Sequence, residues 1–553
     1  MVRAPARLPR RLVVLLAVVA FAVIFAVLAV RGARDLEDHL GEWAAEELAH
    51  RSDGVYRLIL SDLSIRPLTG SISFDSATVA TDTAPTRRRE KPLPSLELRG
   101  YGCRVVGLDL LRIVLFKSFV ARELGCSRAV ARVALPSRPG KERRPTSDSA
   151  PAATLGKLAR PLGLSSFRVA EVSFPALGFT LEQPNARGGS SIRLDQARFE
   201  AKDMRFDPTA RGRKRPALWA DRARLRASGL VMRPDTLSKV AIAGLEVGLT
   251  DSTLRLAGVR HAPTIPENEW VQRLRVRRDR IHFELDSLRA RGVAYRALLA
   301  DGDIRIRVLE LEGARLDVLA DKRIRRARPM RHRIPQQLAA NPGRALLLDS
   351  AVVTRGTIVY REREPDRERP GHVSFDSVRA TILGLHLPSQ GRPLRIRASA
   401  KLMNAGLLAV EATVPLDAPD FRYELSGSLR AMPVKAFNRF LAENESFEFD
   451  DGWVEGITFR QTARAGQAMT TLTPRYRDLS VEPTDDGGGV IGLVSRGANE
   501  LIADAFVVRS RNPDEDGENL RTARTVRSYD PAQNWLRFVW FGLRDALKEA
   551  LKE

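Results

Sequence analysis

Nineteen consecutive residues near the N-terminus, Leu12 to Val30, carry no polar side chain. A helix of that length spans the hydrocarbon core of a bilayer. Arg3, Arg7, Arg10 and Arg11 precede the run, while Asp35, Glu37 and Asp38 follow it among Arg31 and Arg34. The positive-inside rule therefore predicts a cytoplasmic N-terminus over 1–11, a transmembrane anchor over 12–30 and export of all that follows. A cleaved signal peptide, with a weak small-residue site near Gly32, is the competing reading, but the run exceeds the roughly 7 to 15 residues of a signal core. Leu36, Leu40, Trp43 and Leu48 fall roughly on one helical face, which predicts an amphipathic helix over 31–52.

Beyond Gly54 the period changes from helical to two. Leu394, Ile396, Ala398, Ala400 and Leu402 alternate with Arg395, Arg397, Ser399 and Lys401, so one face is apolar and the other charged. The same alternation marks Ile281, Phe283 and Leu285; Ile304, Ile306 and Val308; Ala314, Leu316 and Val318; and Val373 and Phe375. These are half-buried strands, punctuated by turn-like segments at Pro67 to Gly70 and Asp450 to Gly452. Longer connections are basic and proline-bearing, including Arg323 to Arg333 and Arg361 to Pro370. They lack interleaved aromatics and any nucleic-acid module, and so read as solvated loops.

Two halves share a layout. Leu164, Ser166, Val169 and Phe174 match Leu348, Ser350, Val353 and Ile358 at an offset of 350 minus 166, or 184. Upstream, the segments around Gly107 and Gly292 match at 292 minus 107, or 185. The predicted halves run over 53–270 and 271–510; strand-rich units that cannot bury an apolar face alone imply an elongated sheet. A polar linker follows over 511–533, then a helix over 534–553. There Leu536, Trp540, Leu543, Leu547 and Leu551 form an apolar face opposite Arg544, Lys548, Glu549 and Lys552. It would cap the sheet, dock a partner or lie on a membrane interface.

Composition narrows the chemistry. A net charge of +23 favours anionic partners, lipid headgroups among them. The seven histidines show no metal-ligand spacing, and no nucleophile elbow or phosphate-binding loop is present, so no catalytic residue, metal or cofactor is assigned. Cys103 and Cys126 allow one optional disulfide, formed if they face each other on neighbouring strands in an oxidising compartment; two buried thiols are the alternative.

The order of these features resembles the AsmA-like family of bacterial envelope proteins, related to TamB and YhdP. The resemblance is carried by the anchor, by Gly54 to Val79 and Gly107 to Val133, by Asp321 to Arg323 before a basic loop, by Gly356 to Glu364, and by Phe421 to Leu441 and Asp451 to Glu482. It implies a single-pass inner-membrane anchor and a periplasmic, antiparallel, mainly β groove, elongated and repetitive. The implied role is lipid transport between membranes and outer-membrane biogenesis, with phospholipid acyl chains in the groove and no nucleic acid partner. The C-terminal helix would then reach the outer membrane or one of its proteins. Candidate lining residues are Ile281, Phe283, Leu285, Ile304, Ile306, Val308, Leu394 and Ile396. On periodicity alone these positions serve equally as a sandwich core; the resemblance favours the groove. A membrane-tethered assembly scaffold for outer-membrane proteins, without lipid conduction, is the alternative function.

Overall fold

The computed structural model describes residues 45–46, 48–50, 54–66, 69–81, 95–109, 112, 118–134, 166–183, 189–206, 218–324, 332–444, 447–483 and 509–552. The expected anchor and most of the helix over 31–52 lie outside them. Among the described residues no helix is long and apolar enough to cross a membrane. The described chain is mainly β, with mixed strand pairing and few helices. It divides into two compact units, Met1–Val259 with Arg289–Ile306 and Arg260–Leu288 with Arg307–Glu553.

The first unit contains β1 (Tyr56–Ser61), β2 (Ser64–Arg66), β3 (Ser71–Thr81), β4 (Ser95–Val106), β5 (Ser118–Ala134), β6 (Ser166–Gln183), β7 (Ser190–Phe206), β8 (Leu218–Trp219), β9 (Arg222–Arg233) and β10 (Ser238–Gly248). Neighbours run β1, β3, β4, β5, β6, β7, β9, β10, all antiparallel except the parallel pair β5 and β6. Register gathers the apolar positions on one face, because directly opposed residues share a side and successive residues alternate. Leu58 faces Val79, Val79 faces Leu98, and Leu98 faces Ala131. Ala45 and Leu48, from the helical residues 45–46 and 48–50, pack on that cluster. Further along, Phe74, Val105, Phe119, Phe167, Val169 and Met204 form a closed core in which Phe119 and Val169 are fully buried. The other face is charged and carries exposed pairs such as Lys202 with Glu171 (3.2 Å) and Arg132 with Glu97 (3.4 Å). Such pairs keep the face wet and add little stability. Cys103 lies opposite Cys126 in the register of β4 and β5, and the two are joined by a disulfide.

Three strands straddle the division in sequence, β11 (Thr253–Pro263), β12 (Arg280–Arg291) and β13 (Ile304–Glu312). The second unit continues with β14 (Arg315–Asp321), β15 (Leu346–Arg363), β16 (Gly371–Leu387), β17 (Leu394–Leu402), β18 (Gly406–Val414), β19 (Tyr423–Pro433), β20 (Phe447–Arg464), β21 (Gln467–Pro483) and β22 (Ala523–Ser528). The helices are α1 (Glu267–Arg273), α2 (Tyr295–Ala300), α3 (Pro335–Ala340), α4 (Asn438–Asn444) and α5 (Trp535–Leu551). Here β12 pairs with β14, and the order then follows the chain to β22. In this series β14 and β15 run parallel and the other pairs antiparallel, and β13 also pairs with β15.

The expectation of an antiparallel sheet is therefore corrected: each unit contains a parallel junction. The period-2 pattern that identifies a strand and its buried face carries no information about direction, which is set by the crossover. The layouts agree strand by strand. The series β4, β5, β6, β7, β9, β10 and the series β12, β14, β15, β16, β17, β18 both pair as antiparallel, parallel and then three antiparallel steps. Both β6 and β15 have 18 residues, and both β7 and β16 have 17. Gly107 and Gly292 each follow a 12-residue strand at positive φ, 66° and 69°. A side chain at 107 would also place its Cβ 2.9 Å from that of Arg122.

Three further local readings change. Asp450 to Gly452 is a bulge inside β20, with Gly452 at φ 138°, and not a turn between strands. Arg361 and Arg363 belong to the end of β15 instead of a solvated loop. The linker over 511–533 contains β22.

Candidate functional site

Register carries one apolar face across most of the second unit. Ile281 opposes Val318 and Phe283 opposes Leu316. In the parallel pair Leu316 lies beside Ile358, and Val318 beside Tyr360. Ile358 then opposes Phe375, Phe375 opposes Leu402, and Ile382 opposes Ile396. Leu394, Ile396 and Ala398 face Val414, Ala412 and Val410, and Ala412 faces Leu425. Arg395, Arg397, Lys401, Glu411 and Glu424 fall on the opposite side. One wall is apolar and the other charged, as the alternation dictates.

The degree of cover differs along this face. Leu285 is buried, Phe283, Leu394 and Ile396 are half-buried, and Ile281 is 41% exposed. Val308 is half-buried on the part of β13 that lies in the second unit, where Ser350 Oγ donates to Arg307 O (3.3 Å). Ile304 (45% exposed) and Ile306 (half-buried) lie on the part of β13 assigned to the first unit. Leaving apolar side chains half in water forgoes roughly 25 cal/mol for each Å² still exposed. The sealed core around Phe119 shows that this fold can bury such positions fully.

At its far end the apolar face is covered. Helix α5 lays Phe538, Gly542, Ala546 and Ala550 on β20, β21 and β22, in clusters with Tyr423, Ala463, Ala468, Leu472 and Ala523. Beneath it, buried Gln461 accepts from Tyr423 Oη (2.7 Å) and donates to Thr470 Oγ1 (2.7 Å). A Cβ at 542 would lie 2.2 Å from Gln461 Nε2, so only glycine admits this approach. Asn534 caps the helix, its Oδ1 accepting from Leu536 N (2.9 Å). The face read from sequence is corrected in part: Leu547 and Leu551 pack at its edge, but Leu536 (59% exposed) and Trp540 (57%) point to solvent, and Phe538 with the stripe Gly542, Ala546 and Ala550 lies on the sheet. Larger side chains could not approach the sheet as closely.

Ionised groups close the other end, on both sides of β14 and β15. On the charged side, Arg363 donates to Asp321 (3.1 Å) and Glu267 (2.9 Å), while Arg361 donates to Glu267 (2.8 Å) and Asp317 (2.9 Å). Arg323 also holds Asp321 (2.7 Å). On the apolar side, Lys322 contacts Glu362 (2.5 Å) and Glu364, and Tyr360 Oη donates to Glu362 (2.5 Å). Burial alone would raise the carboxyl pKa values of Glu267, Asp321 and Glu362. Hydrogen bonds and charges from Arg361, Arg323 and Lys322 respectively outweigh it and hold all three low. Burial likewise opposes the charge on Lys322, but its two glutamates raise its pKa. Burial, followed by the charge of Glu362, pushes the Tyr360 hydroxyl up.

Sequence reading missed this network because its partners stand far apart in the chain; Glu267 reaches Arg363 across 96 residues. The available signal was the charge density of Asp321 to Arg323 and Arg361 to Glu364 at the ends of two apolar segments. Among the described residues no group of His, Cys, Asp and Glu side chains is arranged to hold a metal ion. No protein-family model matches the chain, and no curated protein matches it at a significant level.

Proposed function

We propose that the chain is an inner-membrane-anchored envelope protein whose exported sheet shelters phospholipid acyl chains on its apolar face, moving or holding lipid between membranes. The observation that carries this reading is the apolar face from Ile281 to Ala412, kept on one side by register and left partly open between the ionic cluster at β14 and β15 and the cluster in which Leu394 and Leu425 pack with Ile334 and Ala339 of the α3 segment. Each methylene sheltered there contributes roughly 0.8 kcal/mol, so a tail crossing several strands gains enough to leave a bilayer or micelle transiently. The charged outer wall keeps the same sheet soluble. The anchor over 12–30 and the excess of cations would hold the chain beside anionic lipid surfaces.

Native mass spectrometry of the full chain, released from detergent and followed by lipid extraction, tests the reading. Bound phospholipid is expected, and Ile396→Asp should remove most of it while leaving the circular dichroism of the sheet unchanged. A folded wild-type chain free of phospholipid would overturn the proposal and favour the assembly-scaffold alternative. Unfolding caused by Ile396→Asp would do the same for the openness of the face.

A further inference from the structure

We propose that the polar end of this apolar face is a headgroup subsite that selects phospholipids carrying a primary ammonium beside the phosphate. The proposal rests on the reading of the face as a lipid site and adds which lipid it prefers.

Along β15, Ile358, Tyr360 and Glu362 alternate onto the apolar side, opposite Phe375, Val373 and Gly371. Along β14, Leu316, Val318 and Ala320 share that side, and Lys322 follows in the same alternation. The stripe that would hold acyl chains therefore runs directly into Tyr360, Glu362, Lys322 and Glu364. The side chains of Lys322, Glu362 and Glu364 are 28%, 19% and 21% exposed, so they are neither sealed nor fully solvated. A lipid whose tails lie on Ile358, Phe375 and Leu402 has its polar end at this cluster.

The chemistry of the cluster distinguishes headgroups. Two carboxylates share one ammonium, leaving one negative charge in excess. Arg277 and Asp279 act on Tyr360 in opposite directions, and Arg277 also acts on Glu362. Independently, the Oδ1 and Nδ2 atoms of Asn444 are buried with no hydrogen-bond partner among the described residues. That amide lies over Gly371, the register partner of Glu362; a Cβ on Gly371 would sit 2.0 Å from Asn444 Oδ1. An orphaned acceptor and donor on one amide match a ligand that brings both an N–H and an anionic oxygen.

A primary ammonium enters between Glu362 and Glu364 and displaces Lys322, which turns to the phosphate. Charges pair as before, and Asn444 gains partners for both atoms. A quaternary ammonium has no N–H to donate, and a glycerol headgroup brings only a negative phosphate to a site already negative. Both are disfavoured.

The test equilibrates the detergent-solubilised full chain with vesicles of equal phosphatidylethanolamine, phosphatidylcholine and phosphatidylglycerol, then counts the lipids bound by mass spectrometry. Phosphatidylethanolamine is expected to be enriched about three- to fivefold, the scale of a partly exposed ion pair. Glu362→Gln with Glu364→Gln should abolish the enrichment at unchanged total lipid. A third substitution, Lys322→Gln, removes the cation that the double variant leaves unpaired. This triple variant should likewise lose selectivity and keep its fold. Lipid bound without preference by the wild type, or enrichment surviving in the triple variant, overturns the subsite alone. No lipid bound at all overturns the underlying reading and the subsite with it.

Discussion

Arg363 shows how much of this protein rests on single side chains that the sequence pattern presents as loop. Its guanidinium is almost buried and ties Asp321 to Glu267, with its Nε left unpaired. Replacing it by leucine should cost about 2 to 3 kcal/mol, below the loss for an isolated buried pair, because Arg323 still holds Asp321 and Arg361 still holds Glu267. Faster amide hydrogen exchange in β14 and β15, without change in the first unit, is the expected readout. Gln461 is the counterpart under α5. Changing it to leucine strands the Tyr423 hydroxyl and should cost about 1 to 3 kcal/mol, seen as earlier chemical denaturation of the second unit.

The same residues set a pH dependence. Glu267, Asp321 and Glu362 have folded pKa values below their unfolded ones, so their contribution is complete above about pH 4 to 4.5 and is lost as pH falls through the folded values. Lys322 has a raised pKa, so its contribution is complete below about pH 10.4 and is lost as pH rises through its folded value. Hydrogen-exchange protection of β15 should therefore fall at both extremes, and Lys322→Gln should flatten the alkaline limb. At this scale the alternation of Leu394 to Leu402 was legible residue by residue, since its period is local. The ion network was not, because nothing local pairs Glu267 with Arg363.

Among elements, α5 is the clearest case of partial legibility. Its existence follows from helical spacing and Asn534, but its packed stripe does not follow from hydrophobicity. Phe538 fills the packed side near the start of the helix, while at 542 the sheet presents Gln461 and Thr470 so close that glycine is required, and Leu536 and Trp540 are left on the solvent side. Gly542→Leu should lift the helix, raising amide exchange across Trp535–Leu551 and exposing β20 and β21; Leu536→Ala on the exposed side should change neither. The parallel junctions illustrate the complementary loss. The sequence repeat placed β6 and β15 in equivalent positions, yet their direction relative to β5 and β14 depends on crossovers that alternation does not encode.

At the scale of the whole molecule, two units with the same order of strand pairings each keep their apolar positions on one face. They use that face differently. In the first unit the cluster around Phe119, Phe167 and Val169 is sealed. In the second, Ile281, Ile358 and Ile396 stay partly exposed, bounded at one end by Ile334 and Ala339, which pack on Leu394 and Val414, and at the other by Lys322, Glu362 and Glu364. Burial of one face was legible from period two; which unit closes it was not, since closure depends on what packs over the strands.

Photo-crosslinking along β17 in intact membranes tests the lipid reading most directly. With a photoreactive amino acid placed in turn at positions 394 to 402, phospholipid adducts are expected at Leu394, Ile396, Ala398, Ala400 and Leu402. They should be absent at Arg395, Arg397, Ser399 and Lys401. Adducts at every position, or at none, would contradict the claim that acyl chains lie on the apolar face.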